Sequence, residues 1–259
     1  MNNKSSAAQT GEKPNNDALT VSHAFIGGVR LRLARTSAVT PPGRASGAPL
    51  LILNGIGGSM ELLAPIAAAL AGRDLILFDM PGNGGSHPAP RSYDMRDAAD
   101  LTAAVLDHFG VDEADIMGVS WGGMLAQQFA RQHPARCRRL ILACTGPGAL
   151  SIPGHPLALH SLFMKHLFRR RGGESRNSAG FSAQMQAIRG WSSLHWLHRL
   201  RHRTLLIAAR MDMTMPLANA RIMSLIMPNA RLAVVEGGHM ALVSQPARPA
   251  ALIADFLDG

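Results

Sequence analysis

The sequence predicts an α/β fold in which a mostly parallel sheet is flanked by helices. Three observations lead there. From residue 50 onward short apolar runs alternate with amphipathic stretches, Gly118-Val119-Ser120-Trp121-Gly122 stands between one such run and one such stretch, and His239 follows the last run on a glycine pair. Strands buried on both faces read as continuous apolar runs, and strands alternating with helices imply parallel pairing through helical crossovers.

The elements follow in order. Residues 1–17 are rich in Asn, Ser, Lys and Gln with little to bury, and are expected to form a disordered polar tail. Residues 19–26 and 29–34 are strand-like around Gly27-Gly28, a two-residue hairpin signal, and the Pro/Gly/Ser-rich residues 37–49 read as a loop. Strands are then expected at 50–53, 75–78, 114–117, 139–143, 204–208 and 231–235, and helices near 61–70, 96–109, 121–132, 217–226 and 246–257. The alternation breaks at Thr145-Gly146-Pro147-Gly148 and resumes at 204. One core, 18–148 plus 204–259, is therefore expected to carry a small helical cap insertion at 149–203. A chain of 259 residues with 47% hydrophobic content can bury one such core.

Composition narrows the function classes. No run of about 18 apolar residues occurs and the N-terminal residues are polar, so a soluble chain made in the cytoplasm, without a transmembrane segment, is expected. Cys137 and Cys144 read as buried thiols rather than a disulfide framework. The net charge of +9 is carried almost wholly by arginine, lysine occurring only at positions 4, 13 and 165. Such a charge favours anionic surfaces, but no nucleic-acid-binding module accompanies it, and no nucleic-acid partner is expected.

The pentapeptide at 118–122 follows an apolar strand and opens a helix, the context of a nucleophile elbow. Glycines are needed where the turn is so tight that neighbouring backbone fills the space of a Cβ, while Ser120 is pushed into a strained, exposed position. A serine hydroxyl needs a base to take its proton and an acid to orient that base. His239, just past the strand 231–235, lies at the sheet edge that carries Ser120, and Asp212, just past the strand 204–208, completes the order serine, acid, histidine. The strand 139–143 is followed by Cys144-Thr145-Gly146-Pro147 with no carboxylate, which leaves Glu236 as the weak alternative to Asp212. This is the pattern of the α/β-hydrolase fold, in which backbone amides of Ile56 and Trp121 would form the oxyanion hole.

The bland readings are set beside these. The loop Asn54-Gly55-Ile56-Gly57-Gly58 lacks the spacing of a phosphate-binding or dinucleotide motif, and Asp79 in Asp79-Met80-Pro81-Gly82-Asn83 reads as a turn residue that satisfies backbone groups. His195, His198 and His202 share one helical face by spacing, but neither they nor His155, His160 and His166 have a complementary ligand set, so no metal and no cofactor is expected. In the insertion, Phe163, Phe168, Phe181, Trp191 and Trp196 accompany Lys165, Arg169, Arg170, Arg171, Arg199, Arg201 and Arg203. Such a cap could bind a greasy substrate at a charged interface or simply pack its aromatics and solvate its arginines.

Three stretches carry more than a fold. Leu53-Asn54-Gly55-Ile56-Gly57-Gly58, Gly118 to Gly123 running into Leu125-Ala126-Gln127-Gln128-Phe129-Ala130, and Trp191-Ser192-Ser193-Leu194-His195-Trp196-Leu197-His198 together resemble the intracellular depolymerases of medium-chain-length poly(3-hydroxyalkanoates). The resemblance runs from about Pro49 to Leu257; the part of the insertion between Phe168 and Phe181 looks shortened and more arginine-rich. It implies hydrolysis of a hydrophobic 3-hydroxyacyl polyester at a storage-granule surface, with Ser120, Asp212 and His239 as the triad and Trp191 and Trp196 touching substrate. A general carboxylesterase or lipase, an acyltransferase using the same triad, and a granule-binding protein without turnover are the rival readings.

Overall fold

The computed structural model describes residues 19–36, 47–161 and 175–259. The expected tail at 1–17, most of the loop 37–49, and Phe163, Lys165, His166, Phe168, Arg169, Arg170 and Arg171 lie outside the described residues.

Eight strands form one sheet: β1 (Leu19–Ile26), β2 (Val29–Thr36), β3 (Leu50–Leu53), β4 (Leu75–Phe78), β5 (Ala114–Val119), β6 (Cys137–Ala143), β7 (Arg203–Ala209) and β8 (Ala230–Val235), in the order β1-β2-β4-β3-β5-β6-β7-β8. The hairpin β1/β2 and the pair β2/β4 are antiparallel, and every pairing from β4 to β8 is parallel. The helices are α1 (Ala64–Ala69), α2 (Met95–His108), α3 (Trp121–Gln132), α4 (Ser175–Ala187), α5 (Leu217–Ile226), α6 (Ala241–Ser244) and α7 (Ala247–Asp258). Among the described residues, no helix is long and apolar enough to cross a membrane.

The pleat divides each apolar strand between two cores. Leu51, Leu53, Ile76, Phe78, Ile116, Leu140, Leu142 and Leu206 face α2, α3 and α5, while Leu50, Ile52, Leu75, Leu77, Met117, Ile141, Leu205 and Ile207 face α1, α6 and α7. Burial on both faces is why Leu50–Leu53 and Leu75–Phe78 contain no polar residue. The helix expected near 61–70 divides into a 3-10 turn, Met60–Leu63, and α1, with Pro65 in the first turn of the latter, where its missing N–H costs nothing. α2 starts on a reciprocal capping box between Asp94 and Asp97. Around His195, His198 and His202 the expected helical face is replaced by a single 3-10 turn, Leu197–Arg199, so the three imidazoles do not stack on one face.

The segment between β6 and β7 is zipped shut at its base. Ala149 N–H donates to Trp191 O (2.8 Å), Ser193 N–H to Pro147 O (2.9 Å), and the Ser193 hydroxyl to Gln127 Oε1 on α3 (2.6 Å). Its first leg lies along the loop after β7: His155 N–H donates to Met213 O (2.7 Å), and Asn219 bonds both the N–H and the C=O of Ile152.

Candidate active site

At the carboxyl end of β5 the chain turns into α3 through Ser120, whose φ of 56° lies in the left-handed region that a side chain rarely adopts. Two glycines make the turn possible. A Cβ on Gly118 would fall on the Gly122 carbonyl, and one on Gly122 would fall on the Leu53 carbonyl, backbone in both cases. Hydrogen bonds from Ser120 N–H to Ala143 O (2.9 Å) and from the Thr145 hydroxyl to Ser120 O (2.7 Å) hold the strained residue against the end of β6.

Two further loops meet Ser120. His239 Nε2 lies 3.1 Å from Ser120 Oγ, and His239 Nδ1 lies 2.8 Å from Asp212 Oδ2. A carboxylate only accepts, so Nδ1 carries the hydrogen and Nε2 is left to accept from the serine hydroxyl. Asp212 Oδ1 accepts the Thr214 and Met215 N–H groups, each at 2.8 Å, which fixes the carboxylate plane. The acid and histidine loops are tied together by Met211 N–H to Gly237 O (2.9 Å) and Arg210 N–H to Val235 O (2.8 Å). The Asp212 side chain is wholly buried, His239 keeps 21% of its side-chain surface, and Ser120 keeps 8%. A buried acid, a partly open imidazole and a barely accessible hydroxyl are the arrangement that a shielded general-base relay needs.

The loop after β3 lies against the elbow: a Cβ on Gly55 would touch Ser120 Cβ at 3.5 Å. Asn54 braces it, its Oδ1 accepting Gly55 N–H (2.8 Å) and its Nδ2 donating to Ser59 O. Among the described residues, neither the Ile56 nor the Trp121 amide donates to a protein group. Beneath this loop, Asp79 accepts Met60 N–H (2.8 Å) and Gly85 N–H (2.9 Å). Burial raises the Asp79 carboxyl above its ordinary value, and the two backbone donors and Arg32 oppose the rise.

A model of the α/β-hydrolase fold matches residues 48–171. A poly(3-hydroxyalkanoate) depolymerase of Ectopseudomonas oleovorans is 36% identical over 247 residues, covering 83% of this chain and 86% of that protein. The chain belongs to the α/β-hydrolase family. A putative carbamate hydrolase RutD of Pseudomonas savastanoi is 30% identical over 246 residues, 82% of this chain and 94% of that one. Among solved structures, a hydrolase from Pseudomonas aeruginosa superposes with a TM-score of 0.74 at 21% identity, over 95% of this chain and 100% of that one, which is likeness of fold.

This α/β-hydrolase site includes a residue that the sequence reading passed over. Gln184 of α4 is fully buried, and its Oε1 accepts Gly57 N–H (2.7 Å) and Asn83 Nδ2 (2.9 Å) while its carbonyl accepts the Trp121 indole N–H (3.0 Å). The side chain of Gln184 thus braces the amide next to Ile56, and its backbone carbonyl holds the side chain of Trp121. Gly180 N–H to Gly82 O (3.2 Å) and Phe181 packed over Gly57 complete the seat of α4 on the two loops.

The two tryptophans expected at substrate pack against α3. The Trp191 indole N–H donates to Gln128 Oε1 (2.9 Å), two turns along α3 from Ser120. Trp196 is 4% exposed beneath the Arg131 guanidinium, whose carbon lies 4.6 Å from the ring centroid, three turns along. Their apolar surface is consumed in packing the insertion onto α3, edge to face with each other at 6.0 Å.

Proposed function

We propose that this α/β hydrolase cleaves carboxylic esters through an acyl-enzyme on Ser120, with His239 as general base and Asp212 as its orienting acid. The observation that carries the reading is the unbroken series from Ser120 Oγ through His239 to Asp212, at 3.1 and 2.8 Å. Ser120 Oγ attacks the ester carbonyl as Nε2 takes its proton. The Ile56 and Trp121 N–H groups stabilise the oxyanion, Nε2 returns the proton to the departing alkoxide, and water repeats the sequence on the acyl group.

The substrate we propose is a poly(3-hydroxyalkanoate) with medium-length side chains, cleaved to 3-hydroxyacids in the cytoplasm at the surface of polyester granules. Identity to the Ectopseudomonas oleovorans depolymerase over most of both chains supports this. So does the rim of the site. Met211 and Met213 flank Asp212, Met240 adjoins His239, and Ile152 and Leu157 lie in the leg bonded to Met213, all exposed. A rim of exposed, adaptable apolar side chains suits a water-insoluble substrate. The segment 149–203 serves as a cap, with α4 clamping the oxyanion loop.

The test is release of 3-hydroxyacids from purified medium-chain granules by wild type and Ser120→Ala, with short-chain polyester, a triglyceride emulsion and a short nitrophenyl ester alongside. Ser120-dependent release selective for the medium-chain polymer is expected. Serine-dependent activity confined to the other esters would move the substrate to a general esterase or lipase, and undiminished release by folded Ser120→Ala would remove the nucleophile.

A further inference from the structure

The far end of α3 carries a second concavity, three helical turns from Ser120, or about 16 Å along the axis at ~1.5 Å per residue. Arg131 and Pro134 form one wall, and Arg199, Arg201 and His202 of the segment entering β7 form the other, around a volume of about 510 Å³. Its floor is apolar, made by the buried Trp196 and Leu200.

Three features set this cavity apart from a merely basic surface. First, its cations are uncompensated. The neighbouring Arg136 and Arg138 are paired with Asp107 (2.7 Å) and Asp115 (2.6 Å), whereas Arg131, Arg199 and Arg201 have no carboxylate partner among the described residues, and no acidic residue lines the cavity. Second, one wall is preorganised, because the Arg131 guanidinium is stacked on the Trp196 indole at 4.6 Å and so loses little freedom when a ligand arrives. Third, the two walls are tied together, His202 Nε2 lying 3.2 Å from Pro134 O and donating to it.

We propose that this cavity binds a phosphate-bearing organic anion at a site separate from the hydrolytic centre. Three guanidinium groups around one cavity exceed what a carboxylate can use, since a single guanidinium already satisfies both carboxylate oxygens in a bidentate pair. A phosphoryl group offers three oxygens and close to two charges. The volume lies within the range of small-molecule sites and leaves room for an organic part beside the phosphoryl group. The inference does not depend on the identity of the ester cleaved at Ser120.

The probe is adenosine 5′-diphosphate, titrated calorimetrically into the full chain at about 0.15 M salt, where diffuse attraction to the +9 chain is largely screened. Octanoate and inorganic phosphate are run in parallel. The expected result is saturable one-to-one binding of the diphosphate, weaker binding of inorganic phosphate, and none of octanoate. Arg199→Gln and Arg201→Gln should each weaken the diphosphate by about tenfold, roughly the loss of one charge-assisted hydrogen bond, while hydrolysis of a short ester without added anion stays at the wild-type rate. No saturable binding of the diphosphate, wild-type affinity in both variants, or octanoate binding as tightly as the diphosphate would each overturn the proposal.

Discussion

Replacing Asp212 by Asn tests the relay most sharply, because the structure dictates which way the new amide must face. Oδ1 of Asp212 accepts two backbone N–H groups, from Thr214 and Met215, and Oδ2 accepts the imidazole hydrogen, all at 2.8 Å. An asparagine turned with its NH2 toward the two amides would bury donor against donor and forfeit two hydrogen bonds, each costing about 1–3 kcal/mol when left unmade. Its oxygen therefore stays on Thr214 and Met215, and its NH2 faces His239. Imidazole Nδ1 must then act as acceptor, the ring hydrogen moves to Nε2, and the atom 3.1 Å from Ser120 Oγ becomes a donor that cannot take the serine proton. The expected loss is about 10⁴ in kcat, or ~5.4 kcal/mol at ~1.36 kcal/mol per decade. The fold should hold, with the thermal midpoint within about 3 °C of wild type, because the side chain is isosteric and both backbone bonds survive. Asp212→Ala, which strands both amides, should lose activity and also about 1–3 kcal/mol of stability. The assay is single-turnover acylation by a nitrophenyl ester beside a melting curve. A folded Asp212→Asn enzyme within about tenfold of the wild-type kcat would refute the orienting role of the acid.

Gly118→Ala should cost at least ~3 kcal/mol in urea unfolding, since its Cβ would fall on the Gly122 carbonyl, which cannot yield without dismantling the elbow; a loss under ~1 kcal/mol would contradict that packing. Gln184→Ala removes the acceptor for Gly57 N–H and should lower kcat by about tenfold while KM changes less than about threefold, because the brace acts on the oxyanion loop rather than on bound ester. An effect confined to KM would place Gln184 in substrate binding instead. Glu61 is held down at about 2, chiefly by its hydrogen bond to Arg32 and then by Ser59. A depressed carboxylate contributes stability above its unfolded value of ~4.3 and loses it as pH falls toward the folded value. The stability difference between wild type and Glu61→Gln should therefore be constant above pH ~4.5 and change by ~1 kcal/mol or less between there and about 2, the side chain being 59% exposed and screened; a pH-independent difference would show the pair to be inert.

What the sequence disclosed of this molecule follows from where its information is local. α3 and α5 begin and end where strand-to-helix grammar puts them, at Trp121–Gln132 and Leu217–Ile226, and the central strands announce themselves because both faces are buried. β5 runs two residues past the expected 117, because Gly118 and Val119 still pair with Leu142 and Ala143 while their own composition carries no strand signal. Gln184 was illegible for a different reason. Its partners Gly57 and Asn83 stand 127 and 101 residues away, and a lone glutamine in a helix has no periodicity to mark it. The tryptophans were ambiguous for another reason. Large aromatics in an insertion carry the same signature whether they meet a ligand or a neighbouring helix, and here Arg131 and Gln128 on α3 consume the two indoles.

The loop after β6 meets the acid of the loop after β7, for Cys144 lies against Asp212. Cys144 is buried, holds φ at 47°, and is pinned by its N–H to Ile207 O at 2.8 Å. Its thiol lies near the Asp212 carboxylate. Burial, reinforced by the Asp212 charge, pushes that thiol up to about 12, so it stays neutral across the physiological range and adds no second negative charge. An aspartate at this position would set two carboxylates against one imidazole, and like charges so close cannot both ionise in a buried site. One of them would hold a proton and compete with His239 Nδ1–H for the other's oxygens. A neutral, small and weakly hydrogen-bonding side chain at 144 avoids that competition, and it leaves the Asp212 carboxylate, oriented by its two backbone donors, to accept from His239 Nδ1.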